Sequence, residues 1–177
     1  MKQRKTVVRY VFLALTVLWM GFIFWMSSRT GNASQDQSGR LVTFLQELFF
    51  PKWKDLPEKD LQDMLNKMSY LVRKIAHFTE FAVLGAGLSV ILATFEKSFR
   101  FRFLVSFGIG VLYAASDEIH QLFVAGRDGA VFDVLIDAAG VFAGCLLVLG
   151  VYAMILKDRM GKETDHTQNE PGNTGSQ

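Results

Sequence analysis

The sequence predicts an all-α, polytopic membrane bundle: four transmembrane helices with amphipathic helices in one connecting loop. Three observations carry this. Half of the 177 residues are hydrophobic and sixteen are Phe. Mean hydropathy is +0.23, above the usual value for a soluble domain. Above all, the apolar residues fall in blocks. A soluble bundle would show polar faces at a period of 3.6 residues, and residues 10–26 show none.

The composition also excludes several classes. So much apolar and aromatic matter rules out disorder along the whole chain. Cys145 is the only cysteine, so no internal disulfide framework exists. Nineteen Lys and Arg stand against seventeen Asp and Glu, which gives no basic footprint for nucleic acid.

The first block, residues 10–26, is uncharged between Arg9 and Ser27-Ser28-Arg29 and predicts a span over 10–27. It is longer than a signal-peptide core, carries Trp19 and Trp25, and lacks a clean small-residue cleavage site. It therefore reads as an uncleaved anchor behind a basic segment, residues 1–9. The second block, 75–95, is apolar except for His77 and Glu80. The third, 103–116, reaches 123 through Asp117, Glu118 and His120. The fourth, 131–156, is interrupted only by Asp133 and Asp137. A helix needs roughly 20 residues to cross the hydrocarbon core. The second and fourth blocks meet that length, and the third meets it with its polar end included.

The loop over 29–74 has helical periodicity of its own. Leu41, Val42, Leu45, Leu48 and Phe49 form one stripe, ended by Pro51. Leu61, Met64, Leu65, Met68, Leu71, Val72 and Ile75 form a second, opening at Pro57. Such helices lie in the membrane interface, or pack on the bundle or on each other. Residues 157–177 turn polar, with Gly and Pro and no period, and predict a disordered tail.

Basic residues in the short flanks orient the chain. Lys2, Arg4, Lys5 and Arg9 precede the first span. Lys97, Arg100 and Arg102 lie between the second and third, and Lys157, Arg159 and Lys162 follow the fourth. Both termini are thus expected in the cytoplasm of a bacterial plasma membrane, with the 29–74 loop outside.

This topology brings polar residues of three spans to the outer side. Arg73, His77 and Glu80 fall within about 60° on one helix face. Tyr113, Asp117, His120 and Gln121 share a face, from which Glu118 diverges by about 100°. Asp133 and Asp137 lie one turn apart, and Gly140 and Gly144 continue their stripe as a close-packing surface. Ionisable groups at membrane depth cost at least ~2.5 kcal/mol each near a helix centre, so the acids should converge inside the bundle and find Arg73, Lys74, Arg127, a protonated His or a bound cation.

The segment Arg73-Lys74-Ile75-Ala76-His77-Phe78-Thr79-Glu80-Phe81 resembles the first motif of the VanZ-like family of bacterial membrane proteins. Asp117-Glu118-Ile119-His120-Gln121-Leu122-Phe123, followed by Gly126-Arg127, Asp133, Asp137 and Gly140, resembles the second. The resemblance covers roughly residues 7–156. It implies importance for Arg73, Lys74, His77, Glu80, Asp117, Glu118, Gln121, Arg127, Asp133 and Asp137. It also implies a link with glycopeptide (teicoplanin) resistance, the association of the founding member. Phe81 stands where Tyr is expected in much of the family.

Two functions compete at this stage. In an enzyme acting on a lipid-linked cell-wall precursor, Arg73, Lys74, Glu118, Gln121 and Arg127 are the candidate substrate-binding residues. His77, Glu80, Asp117, His120, Asp133 and Asp137 are then the catalytic candidates. A divalent cation held by Asp, Glu and His would activate water, although His77-x-x-Glu80 lacks the second His of the known helical zinc motif. In a binding protein the same layer would hold a wall precursor or a glycopeptide without turnover. A proton or cation pathway ranks last, because residues 82–95 and 138–156 hold no Asp, Glu, Lys, Arg or His.

Overall fold

The computed structural model describes residues 2–50, 52–53, 57–127 and 130–168. Five helices account for nearly all of it: α1 (Lys2–Ser27), α2 (Gly31–Phe49), α3 (Glu58–Ala93), α4 (Phe99–Gln121) and α5 (Val131–Gln168). No strand occurs among the described residues. Four helices, α1, α3, α4 and α5, contain stretches long and apolar enough to cross a membrane, so the expected all-α membrane bundle is the observed one.

Two boundaries differ from those expected. The second amphipathic stripe and the second span are one helix: α3 runs 36 residues from Glu58, roughly 54 Å at 1.5 Å per residue. That exceeds a hydrocarbon core of about 30 Å, so its first turns project beyond it. No Gly or Pro interrupts residues 58–84, and Pro57 with the acidic first-turn residues Glu58 and Asp60 marks the start. At the other end of the chain, α5 continues to Gln168. The expected disordered tail, 157–177, is therefore helical as far as 168, and residues 169–177 lie outside the described residues.

The bundle is held by small residues and surrounded by large ones. Ile23, Phe81, Leu84, Ala114, Val141 and Cys145 form the buried cluster. Leu18, Leu112, Leu147 and Met154 point away and are about 70% exposed, as suits side chains facing lipid. The α3–α5 seam is the closest contact. A Cβ added at Gly144 would sit 1.9 Å from the Ala82 carbonyl oxygen, and one at Gly140 2.2 Å from that of Phe78. The glycine stripe is thus a packing surface, and it sets Lys74 and His77 of α3 against Asp133 and Asp137 of α5.

Helix α2 does not cross the bundle. Gly31, Ser38, Val42 and Gln46 form its buried face. Leu41, Phe44 and Leu48 stay exposed on a second face, Asp36, Arg40 and Glu47 occupy a third, and Phe49, in line with Val42, is exposed at the helix end. Only Val42 of the expected apolar stripe is fully buried; Leu41, Leu48 and Phe49 are not. Of the expected placements the structure has α2 packed against α3, the helix that carries the second amphipathic stripe.

Candidate functional site

The site begins at a corner. The chain leaves α1 and enters α2 at Gly31, whose N–H donates to the Ala125 carbonyl at 3.1 Å. The facing turn after α4 contains Gly126 with φ +74°, a conformation that side chains resist. A Cβ on Gly31 would overlap the Gly126 carbonyl. These two glycines let the α1–α2 corner rest on the α4–α5 turn.

Arg127 then locks the corner. Its Nε donates to the Arg29 carbonyl at 3.0 Å, Nη2 to the Met26 carbonyl at 3.3 Å and Nη1 to Gln121 Oε1 at 3.0 Å. The carbonyls belong to the C-terminal end of α1, where a cation is favoured by the helix dipole. Burial pulls the guanidinium down from its usual value and Asp117 pulls it back up; it stays cationic.

Asp117 is the acceptor beneath this clamp. Its Oδ2 takes a hydrogen bond from Ser27 Oγ at 2.7 Å and from Gln121 Nε2 at 2.9 Å. Ser27, Asp117 and Gln121 are all buried; two neutral donors hold Oδ2 with the Arg127 guanidinium nearby, while Oδ1 has no partner among the described residues. Glu118, expected to diverge, turns to the start of α5 and accepts from the Ala130 N–H. A carboxylate there satisfies one of the free amides of a helix N-terminus. Asp133, on the first turn of α5, pairs with Lys74.

The rest is less satisfied. His77 Nδ1 lies 4.0 Å from Glu80 Oε2, too far for a hydrogen bond, and is buried without a partner. Asp137 is 2% exposed, and its Oδ1 has no partner. It lines a void of about 10 Å³ together with Lys74, His77, Glu118, Gln121 and Asp133, room for about one water molecule. Arg73 makes no hydrogen bond or ion pair among the described residues.

Two larger cavities open beside these groups. One, of about 400 Å³, is bordered by Arg73, Lys74, His77, Arg127, Gln35 and Tyr70. The other, of about 350 Å³, adds Met26, Leu41, Val72 and Ala76. Ser34, Arg73, His77 and Arg127 belong to both walls. A cation-rich chamber thus shares a wall with a more apolar one, to which Glu80 also contributes.

Of the sequence-derived candidates, Arg73, Lys74, His77, Glu80, Gln121, Arg127 and Asp133 line these two cavities, and Glu118 and Asp137 line the small void. Asp117 lies behind the wall as a support. His120 is set apart. Its ring stacks on Phe24 at 4.4 Å and its Nε2 lies 3.1 Å from Ser28 Oγ, so it borders none of the three. Reasoning from motifs missed Ser27, Ser34 and Gln35. Ser27 and Ser28 ending an uncharged block were the available signal; for the α2 residues there was none.

The acids do not form a metal centre. Among the described residues no three His, Cys, Asp or Glu side chains gather as a group that could hold a metal ion. Asp133 is taken by the Lys74 ammonium and Asp117 Oδ2 by two donors, so the divalent cation expected among them has no fitted ligand set.

With this geometry in view, comparison with known proteins gives one positive finding. The family model described as VanZ/LLP1 matches residues 12–156, a stretch that contains every candidate residue above. Neither the curated proteins nor the solved structures give a match.

Proposed function

The chain belongs to the VanZ/LLP1 family, and from that premise we propose that it takes the anionic head of a lipid-linked cell-envelope intermediate into the cleft between Arg73, His77 and Arg127. The observation that carries this reading is the shared wall. The same three side chains face a polar chamber on one side and an apolar chamber, with Met26, Leu41 and Val72, on the other. An amphiphile needs that sequence of surfaces. Arg forks suit phosphate oxygens, and Arg73 has no hydrogen-bond or ion-pair partner among the described residues to give up on binding.

The orientation belongs to the same proposal. The chain's beginning, the α3–α4 connection and the end of α5 lie at the opposite end of the bundle, tied there by Arg9 to Thr94 and Lys5 to Glu96. Their basic residues favour the cytoplasmic face of a bacterial plasma membrane. The cleft then opens outward, where a change in the supply of wall intermediates would alter susceptibility to a glycopeptide such as teicoplanin.

His77 is the group fitted to move a proton at the bound head, with Glu80 on the adjacent turn to orient the ring. Non-catalytic holding of the same ligand is the competing reading, and His77→Gln separates the two. Protein in lipid nanodiscs would be titrated with a short-chain prenyl diphosphate, and lipid extracts of cells carrying wild type or His77→Gln compared by mass spectrometry. Binding is expected to fall at least about tenfold in Arg73→Ala and Arg127→Ala, roughly 1.4 kcal/mol or more. Catalysis predicts that His77→Gln keeps the binding and accumulates one lipid-linked intermediate. Kept binding with an unchanged lipid profile indicates holding alone. No binding by wild type rejects the cleft.

A further inference from the structure

A second groove opens between α2 and the projecting turns of α3. It encloses about 530 Å³, and Gln35, Arg40 and Thr43 face Gln62, Asn66 and Ser69 across it. Gln35 also lines the cationic chamber, so the groove adjoins the cleft. Asn66 precedes Arg73 by seven residues on one helix, roughly 10 Å at 1.5 Å per residue. The groove therefore leads away from the apolar chamber and past the basic residues.

Its lining is rich in amides and hydroxyls and poor in net charge. Gln35, Thr43, Gln62 and Asn66 make no side-chain hydrogen bond among the described residues, which leaves donors and acceptors free on both walls. Gly39 adds a separate observation. Glycine in the middle of a helix costs about 1 kcal/mol against alanine. At Gly140 and Gly144 a neighbouring backbone leaves no space for a Cβ, but a Cβ at Gly39 would meet nothing within 4 Å. Gly21, Gly108 and Gly150 are equally open, and of the four only Gly39 lines the groove, where it keeps the α2 wall low, with Leu65 opposite.

We propose that this groove is a carbohydrate subsite and that the head bound in the cleft is a glycosylated phosphate or diphosphate. The proposal rests on the binding reading above and adds the sugar. Apolar chamber, cationic cleft and hydroxyl-binding groove follow one another in the order of hydrocarbon, phosphate and glycan in such a lipid. Amide side chains offer paired donors and acceptors to vicinal hydroxyls, and Leu65 offers an apolar patch to a ring face.

The test compares two probes on nanodisc-embedded protein: a short-chain prenyl diphosphate, and the same lipid carrying an N-acetylhexosamine on its diphosphate. Wild type should bind the glycosylated probe at least about tenfold more tightly. Gln62→Ala combined with Asn66→Ala should bring it to the level of the bare probe and leave the bare probe unchanged; both residues are exposed. Gly39→Leu, which fills the groove while favouring the helix, should do the same. Thermal unfolding of each variant reports folding independently. Equal binding of both probes by wild type overturns the subsite and leaves the cleft standing. So does a preference that survives Gly39→Leu. Loss of both probes in a folded groove variant also overturns it. Binding of neither probe by wild type overturns the cleft and the subsite together.

Discussion

Arg9 and Arg73 sit at opposite ends of the bundle and are used in opposite ways. Arg9 is consumed by structure. Its guanidinium lies 3.9 Å from the Phe95 ring centre, and its Nε donates to Thr94 Oγ1 at 2.9 Å. Nearby, Lys5 reaches Glu96 and Arg102 lies over Tyr152. At the other end, Arg127 and Lys74 are also held, but one side of each borders open space, and Arg73 borders it with no partner among the described residues. A cation that fastens helix ends spends its hydrogen bonds on the protein. A cation kept for a ligand must be positioned by its neighbours and left unsatisfied toward the cavity.

That contrast can be broken most severely at the seam positioning both ends. Gly144→Ala places a Cβ against the Ala82 backbone; overpacking of this kind costs about 1–3 kcal/mol or more. The yield of folded protein in detergent and its unfolding temperature should both fall sharply. Next comes Asp117→Ala, which takes the acceptor from the buried Ser27 hydroxyl and leaves Gln121 Nε2 only its 3.4 Å bond to Ser27 Oγ. Each unsatisfied group costs about 1–3 kcal/mol. Thermal unfolding should register the loss, and Asp117→Asn should recover part of it by keeping an acceptor.

A sharper comparison sets Arg127→Ala against Arg73→Ala. Both should lose binding of an anionic lipid head at least about tenfold. Arg127→Ala alone should also lower stability, by about 1.5–3 kcal/mol, because it removes charged hydrogen bonds to Met26, Arg29 and Gln121. If Arg73→Ala destabilised the fold equally, Arg73 would be a structural cation like Arg9. The smallest effect is expected at Arg9 itself. Arg9→Ala should cost about 0.5–1 kcal/mol through its ring contact and leave ligand binding unchanged; weakened binding would end the division between the two ends.

Helical periodicity made much of this legible. The angular grouping of Arg73, His77 and Glu80, and of Asp133 and Asp137, follows from 100° per residue alone. Three features were not legible in the sequence, for separate reasons. His120 shares the azimuth of Asp117, but azimuth does not say which neighbour fills the space; Phe24 and Ser28 do. The divergence of Glu118 was legible but its destination was not, because the start of α5, whose Ala130 N–H it meets, is not a feature of α4. The break expected near residue 74 was a change of composition, and a helix tolerates such a change when no Pro or Gly interrupts it. Ser34 and Gln35 were invisible because nothing in α2 indicates which of its faces overlies the cleft.

The sequence by itself determined the class of the protein. The blocks of apolar residues require helices in lipid, and the paired motifs place the chain in its family, since both depend on residue order along one chain. The tertiary structure decided which charges are satisfied. Whether a carboxylate meets Lys74, an amide or an empty volume depends on how closely α3 and α5 approach and where α2 lies. Packing across helices sets both, and no spacing within a single helix contains that information.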